Sequence, residues 1–411
     1  MASSSADSGD GDREETVSLK KKKKDGLGWI EWLRGLLSVV YEVLFQRIMA
    51  SHLQNPMPLP PLPDITSWIG ELSWVEFWKR QLAESGAHVI MAVRNPKAAH
   101  ELIQKWQEEW SGMGLPLNIE VMEVDLLSLD SVVKFAEAWN ARSAPLHALI
   151  NNAGIFSIGV ISYCCRAYIG SPSRIVNVNS IMHHLGFVDT EDMNFVSKKR
   201  RYTSTLGYSS SKLAQVMFSS ILHKRLPAEA GISVLCVSPG IVQTGVTRDL
   251  PKIVDAAYQL VPYFIFNAQE DLKPGSSTLP FGYCANISIL LQHYTTLIPE
   301  GLQLWFLKTV KPAAETWSMS IVASSRSALF AATDPQVPEY CEMLKADEWP
   351  VCAFIAQDCR PTNASEEAHN VETSQKVWEK TLEMIGLPSD AVERLIQGEQ
   401  VECRYGMADQ Q

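Results

Sequence analysis

Arg174-Ile-Val-Asn-Val-Asn-Ser180 is a β-branched run that ends on polar residues, and a helix-length stretch follows it from Leu206 to Leu226. Ile232 to Val237 then begins a second apolar run of the same kind. Upstream the alternation repeats. Arg80 to Ser85 closes a helix, Gly86 breaks it, and His88 to Val93 reads as a strand. Lys97 to Trp110 is helical, Asn118 to Val124 a strand, Ser128 to Asn140 helical, and Leu146 to Asn151 a strand. Short apolar strands alternating with amphipathic helices describe a parallel sheet covered on both faces. The expected class is α/β, with a doubly wound parallel sheet. Ligands of such sheets bind beyond the carboxyl ends of the strands, so the residues just after each strand carry the functional information.

Outside this body the chain changes character. Residues 1–26 are polar and end in Lys20 to Lys24, a disordered basic tail by composition. Within 27–54, Ile30, Leu33, Leu37, Val40, Leu44 and Ile48 recur at helical spacing, opposite Glu31, Arg34, Ser38, Glu42 and Gln46. Four charges (Glu31, Arg34, Glu42, Arg47) argue against a membrane span. Two readings stay level: an amphipathic helix lying on a membrane surface beside the lysines, and a helix packed on the domain itself. Residues 55–65 are a proline-rich linker, 66–270 the α/β domain, 271–324 an insertion, and 325–411 a C-terminal extension of helical character. The net charge of −10 excludes nonspecific nucleic-acid binding, which needs a basic face. The cysteines form no zinc-type cluster, so no metal site is expected and free buried thiols are the plain reading. The location expected is intracellular and membrane-associated.

Tyr208-Ser-Ser-Ser-Lys212 carries the chemistry. Positions four apart share a helix face, so a phenol and an ammonium point into one site. Hydride transfer to a carbonyl needs a proton donor beside the forming alkoxide, and an adjacent ammonium favours the phenolate for the reverse reaction. Ser180, at the end of a strand, adds a hydroxyl for the carbonyl oxygen. Arg94 closes the strand His88-Val-Ile-Met-Ala-Val-Arg94, where no acidic residue stands. An arginine there accommodates the 2′-phosphate of NADP, whereas an acidic residue would bind the ribose of NAD.

Asn151-Asn-Ala-Gly154, Pro239-Gly-Ile-Val-Gln-Thr244 and the run into Ser180 resemble, in order and spacing, motifs of the short-chain dehydrogenase/reductase family. Ile181-Met-His-His-Leu-Gly186 and Lys212-Leu-Ala-Gln-Val-Met-Phe218 resemble its retinol-dehydrogenase-like branch. The resemblance covers about residues 80–250. It implies a Rossmann-like sheet and a catalytic set of Ser180, Tyr208 and Lys212. It implies NADP(H), with NAD(H) second, held by Arg94, Asp125, Asn151, Ala153, Gly154, Tyr208, Lys212, Pro239, Gly240 and Thr244. It implies a lipophilic carbonyl or alcohol as substrate.

Three departures stand against the family pattern. Ser67-Trp-Ile-Gly-Glu-Leu-Ser-Trp-Val-Glu-Phe-Trp78 occupies the place of the opening strand and glycine loop, as though read in a shifted frame or mis-spliced. Only residues 155–172 connect the two strands, enough for a crossover, but the family's long helix with its active-site Asn has no counterpart among them. Residues 271–324 separate stretches the family joins directly. The competing function is therefore a catalytically impaired variant acting only as a membrane-associated binding or interaction protein.

Overall fold

The computed structural model describes residues 33–41, 74–110, 116–142, 145–153, 173–197, 202–240, 325–346, 352–399 and 401. The tail 1–26, the linker 55–65, the insertion 271–324, Gly154 and Thr244 lie outside them.

Helix α1 is seen over residues 33–41, and α2 spans Trp74–Glu84. A bond from Ala87 N–H to Leu82 O and one from Gly86 N–H to Ala83 O close α2. Gly86 takes φ +88, the left-handed conformation such a cap requires. β1 (Val89–Val93) follows, then α3 (Pro96–Glu109), opened by Asn95 accepting from Ala98 N–H and by proline in its first turn. β2 (Ile119–Glu123) leads to α4 (Leu129–Asn140), capped by Ser128. β3 (Ala148–Asn151) and β4 (Ser173–Val178) precede α5 (Ser204–Arg225), which Thr203 caps and whose last turn carries His223, Lys224 and Arg225. β5 is Ile232–Val237. Then come α6 (residues 325–333), α7 (Val337–Lys345), β6 (Ala353–Ile355), β7 (Pro361–Thr362), α8 (Val371–Met384) and α9 (Ala391–Ile396).

The strands β3-β4-β5-β6-β7 form one sheet, parallel except for the edge strand β7, and β1-β2 form a parallel pair. β3 pairs β4 with Ala148 opposite Arg174, so the crossover closes even though its connecting residues are so few. Among the described residues no strand pairs with the remaining edges of β1 and β3. The family's opening strand belongs between them, and the segment 42–73 that would supply it lies outside the described residues.

Both faces of the larger sheet are covered. Val176, Val178, Leu235, Val237, Ala353 and Ile355 pack on α6 and α7, joined by Trp78 of α2. Cys236 and Phe354 face the other way, against Leu213, Val216 and Met217 of α5 and Val377 of α8. Full burial of one such side chain stabilises by roughly 1.5–3 kcal/mol. The C-terminal residues thus do more than add helices, because β6 and β7 extend the sheet itself. Cys236, Cys341, Cys352 and Cys359 are free and buried.

Candidate active site

β4 hands the chain to the site. Asn179 N–H donates to Val237 O at 2.7 Å, holding the strand end against β5. Ser180 follows in extended conformation and caps a 3-10 turn over Ile181–Leu185, its Oγ accepting from Met182 N–H at 3.2 Å. α5 crosses above, and the Tyr208 phenol hydrogen-bonds the Ser180 side chain. Lys212 Nζ lies 5.9 Å from the Tyr208 ring centroid. The structure brings Ser180, Tyr208 and Lys212 together.

Their charges are set by burial. Lys212 Nζ donates to Val178 O at 2.8 Å and to Gln215 Oε1 at 3.4 Å, and desolvation lowers its pKa to about 8. The Tyr208 phenol is raised, with burial as the first cause, while the Ser180 hydrogen bond works the other way. The lowering expected from a neighbouring ammonium is therefore not what the structure shows. Nζ is turned to the carbonyl of Val178, and desolvation of the phenolate outweighs its attraction. At neutral pH Tyr208 is a phenol, a proton donor.

A buried polar ladder supports the triad. Asn179 Nδ2 donates to Lys212 O at 2.8 Å and to Gln215 Oε1 at 2.9 Å. Asn151 Nδ2 donates to Asn177 Oδ1 at 2.8 Å, and Asn177 Nδ2 donates to Ser219 Oγ at 2.8 Å. Asn177, Asn179, Gln215 and Ser219 are absent from the expected site. Their signal is two asparagines one alternation apart on an otherwise apolar strand, facing polar residues four apart on the helix. Ser210 belongs with them, since its Oγ accepts from Phe187 N–H at 3.1 Å and ties the loop after Ser180 to α5.

The residues expected around a cofactor sit at the carboxyl ends of the strands. Arg94 is exposed after β1, and its guanidinium makes no ion pair with a described residue. Asp125, after β2, accepts from Leu127 N–H, while its own N–H donates to Ser131. Asn151 is buried in the ladder, its Nδ2 donating to Asn177 Oδ1. Asn152 Oδ1 beside it is buried without a partner, and Ala153 is exposed. Pro239 is buried. Gly240 has φ +78, and a Cβ there would meet Gln357 Oε1 at 1.8 Å, so only glycine fits. A groove of about 590 Å³ opens between α1, His184 and β7, and none of Ser180, Tyr208 or Lys212 lines it.

Comparison with known proteins decides the family. The short chain dehydrogenase family matches residues 78–188. The Arabidopsis thaliana dehydrogenase/reductase SDR family member FEY is 53% identical over 411 residues, covering 94% of this chain and 95% of that one. The chain is a short-chain dehydrogenase/reductase. Human retinol dehydrogenase 12 is 29% identical over 213 residues, covering 46% of this chain and 65% of its own length. Human polyprenol dehydrogenase is 27% identical over 263 residues, 57% and 77% of the two chains. A crystal structure of an uncharacterized protein from Mycobacterium paratuberculosis covers 79% of this chain and 95% of its own at 21% identity, with a TM-score of 0.42. As a short-chain dehydrogenase/reductase the chain belongs to a family of oxidoreductases acting on CH–OH groups, and its fold is that family's Rossmann-like sheet. The family match begins at Trp78, after the place of the glycine loop.

Proposed function

We propose that the active site is built to transfer hydride between NADP(H) and a lipophilic carbonyl or alcohol, with Tyr208 as the acid/base group, and that the chain as written is impaired in holding the cofactor. The observation that carries this is the hydrogen bond between Tyr208 and Ser180, made beside the buried Lys212 ammonium. Two hydroxyls then converge where a substrate oxygen sits. The Ser180 hydroxyl orients that oxygen, and the Tyr208 phenol gives it a proton as the alcohol forms. The Lys212 ammonium beside the ring attracts the phenolate left behind, against the burial that disfavours it. A lipophilic substrate accords with the retinol and polyprenol named for relatives of the chain.

The residues present fit part of the cofactor. Arg94, which has no ion pair among the described residues, would offer a cation for a 2′-phosphate, and Asn152 and Gly240, at the ends of β3 and β5, would stand toward the nicotinamide half. NADPH, when bound, supplies the hydride. The pyrophosphate is served poorly: the first turn of α2 carries Glu76, and its opening residues Trp74-Val-Glu-Phe77 include no glycine. That observation favours the second reading, a chain impaired in turnover that keeps only binding or interaction roles.

The two readings separate in a chain whose residues 66–79 are replaced by a strand and glycine loop. There NADPH should bind at least tenfold tighter than NADH, and Arg94→Ala should remove most of the preference, as loss of a hydrogen bond to a charged group predicts. Tyr208→Phe should lower reduction of a long-chain aldehyde by about 10²-fold or more while NADPH binding stays. Equal affinities for the two cofactors, or full activity in Tyr208→Phe, would sink the proposal.

A further inference from the structure

His183 lies three residues beyond Ser180, fully buried, and the site described so far gives it no task. Its two ring nitrogens meet partners of fixed role. Nδ1 is 2.7 Å from Ser180 O, which only accepts, and Nε2 is 3.1 Å from Ser365 N–H, which only donates. The neighbours thus dictate one state: neutral imidazole, proton on Nδ1, lone pair on Nε2. The ring is fixed in plane as well, with Phe354 at 4.7 Å and His184 at 4.2 Å between centroids.

We propose that His183 is a positioning residue for the active site, a two-ended strut that ties the Ser180 carbonyl to the Ser365 amide and so fixes the serine hydroxyl against Tyr208. The far end of the strut is well chosen for that task. Ala364 and Ala368, on either side of Ser365, pack in the same cluster as Leu213 and Met217 of α5, the helix that carries Tyr208. Ser180 and Tyr208 are thereby referred to one anchor. The near end completes the constraint on Ser180: its N–H donates to Asn179 Oδ1 at 2.8 Å, its carbonyl accepts from His183, and its Oγ accepts from Met182 N–H. The remaining capacity of the hydroxyl is left for Tyr208 and a substrate oxygen. Burial lowers the His183 pKa to about 3, with His184 beside it acting in the same direction, so the strut keeps its state through the neutral range.

The proposal rests on the reading of Ser180 and Tyr208 as the reactive pair, yet it can be tested without turnover. The two ends of the imidazole separate by substitution. In His183→Asn the amide nitrogen reaches the Nδ1 position and still donates to Ser180 O. In His183→Gln the amide serves the Nε2 side and leaves Ser180 O with only the backbone N–H of residue 183, which already donates to it at 3.1 Å. The full chain labelled with 13Cζ-tyrosine, with the Tyr208 signal assigned by Tyr208→Phe, gives the phenol titration directly. Each variant cuts the strut at one end, so each should move the Tyr208 midpoint upward, by up to half to one unit, on the order of a lost hydrogen bond, and in the direction of Ser180→Ala. A variant of either kind that titrates with wild type would overturn the two-ended strut. Should the variants not fold, long-range 1H–15N correlation on wild type still decides: an Nδ1–H tautomer at pH 6 supports the strut, and an Nε2–H tautomer or a charged ring refutes it. If the strut fails while Ser180→Ala still shifts Tyr208, the catalytic reading survives and only the positioning role is lost.

Discussion

Tyr208, Lys212 and His183 share one physical theme, which is that burial is the first cause of the shift in each. For the histidine this links to stability with a definite sign. Its folded pKa of about 3 lies below the unfolded value of 6.5, so the unfolded chain binds the extra proton first. The stability contributed by the neutral ring is therefore fully present above pH 6.5 and lost as pH falls toward 3. The slope approaches about 1.4 kcal/mol per pH unit in that window. His184, lowered to about 4 by burial, adds a loss of the same sign. Urea unfolding of wild type and His183→Asn at pH 4.5, 5.5 and 6.5 should show the variant losing stability less steeply by close to one proton's worth. Parallel curves would mean that His183 is not held neutral. The Tyr208 and Lys212 pairing is legible from spacing alone, because a helix puts positions four apart on one face. The sign of the phenol's shift is not, since burial of the ring, which the fold alone decides, raises it.

At the scale of elements, α1 shows what periodicity tells and what it withholds. The apolar stripe is plain in the sequence, and Leu33, Leu37 and Val40 are all exposed, as is Tyr41. The direction is set by Gly35, where a Cβ would stand 2.3 Å from His184 O, so only a glycine lets the helix approach the domain on that side. Arg34 pairs with Glu366 on the same flank. The described part of the helix thus meets the domain at Arg34 and Gly35, while Leu33, Leu37 and Val40 keep much of their surface exposed. No helix among the described residues is long and apolar enough to cross a membrane. The exposed stripe, preceded by Lys20 to Lys24, fits binding in the headgroup region of anionic lipid instead, with about 1 kcal/mol from each lysine near the surface. The full chain should float with vesicles containing phosphatidylserine and lose much of that in 1 M salt, where the screening length shrinks to about 3 Å. Removal of residues 1–54 should abolish flotation. A truncated chain that floats as well as the whole one would refute membrane binding through α1.

For the molecule as a whole, the alternation of strands and helices is readable from Arg80 to Val237 because each strand is a short apolar run and α3, α4 and α5 each start on a side-chain cap. β6 escapes such reading: three residues, Ala353–Ile355, carry no period, and only pairing with Leu235 to Val237 makes them a strand. Among the described residues the order β2-β1, then β3-β4-β5-β6-β7, includes no strand in the central place of the family's opening strand. α2 spans that junction, with Trp78 in the core of the larger sheet and Leu82 packed against the clusters on both sides. Trp78 thus has a structural task, which helps the chain cohere but does not cradle phosphate. A pyrophosphate needs backbone amides free at a helix N-terminus, and α2 opens with bulky residues and the Glu76 carboxylate. Each charge-assisted hydrogen bond lost costs roughly 1.5–3 kcal/mol, and several are lost together. At about 1.4 kcal/mol per decade, affinity falls by several orders of magnitude. Calorimetry on the chain as written should therefore detect no NADPH binding, and replacement of residues 66–79 by a strand and glycine loop should restore it. Full turnover should further require the family's Asn-bearing helix, which has no counterpart in the sequence of residues 155–172. Micromolar NADPH binding by the unmodified chain would show that Trp68 to Trp78 forms a phosphate site of another kind.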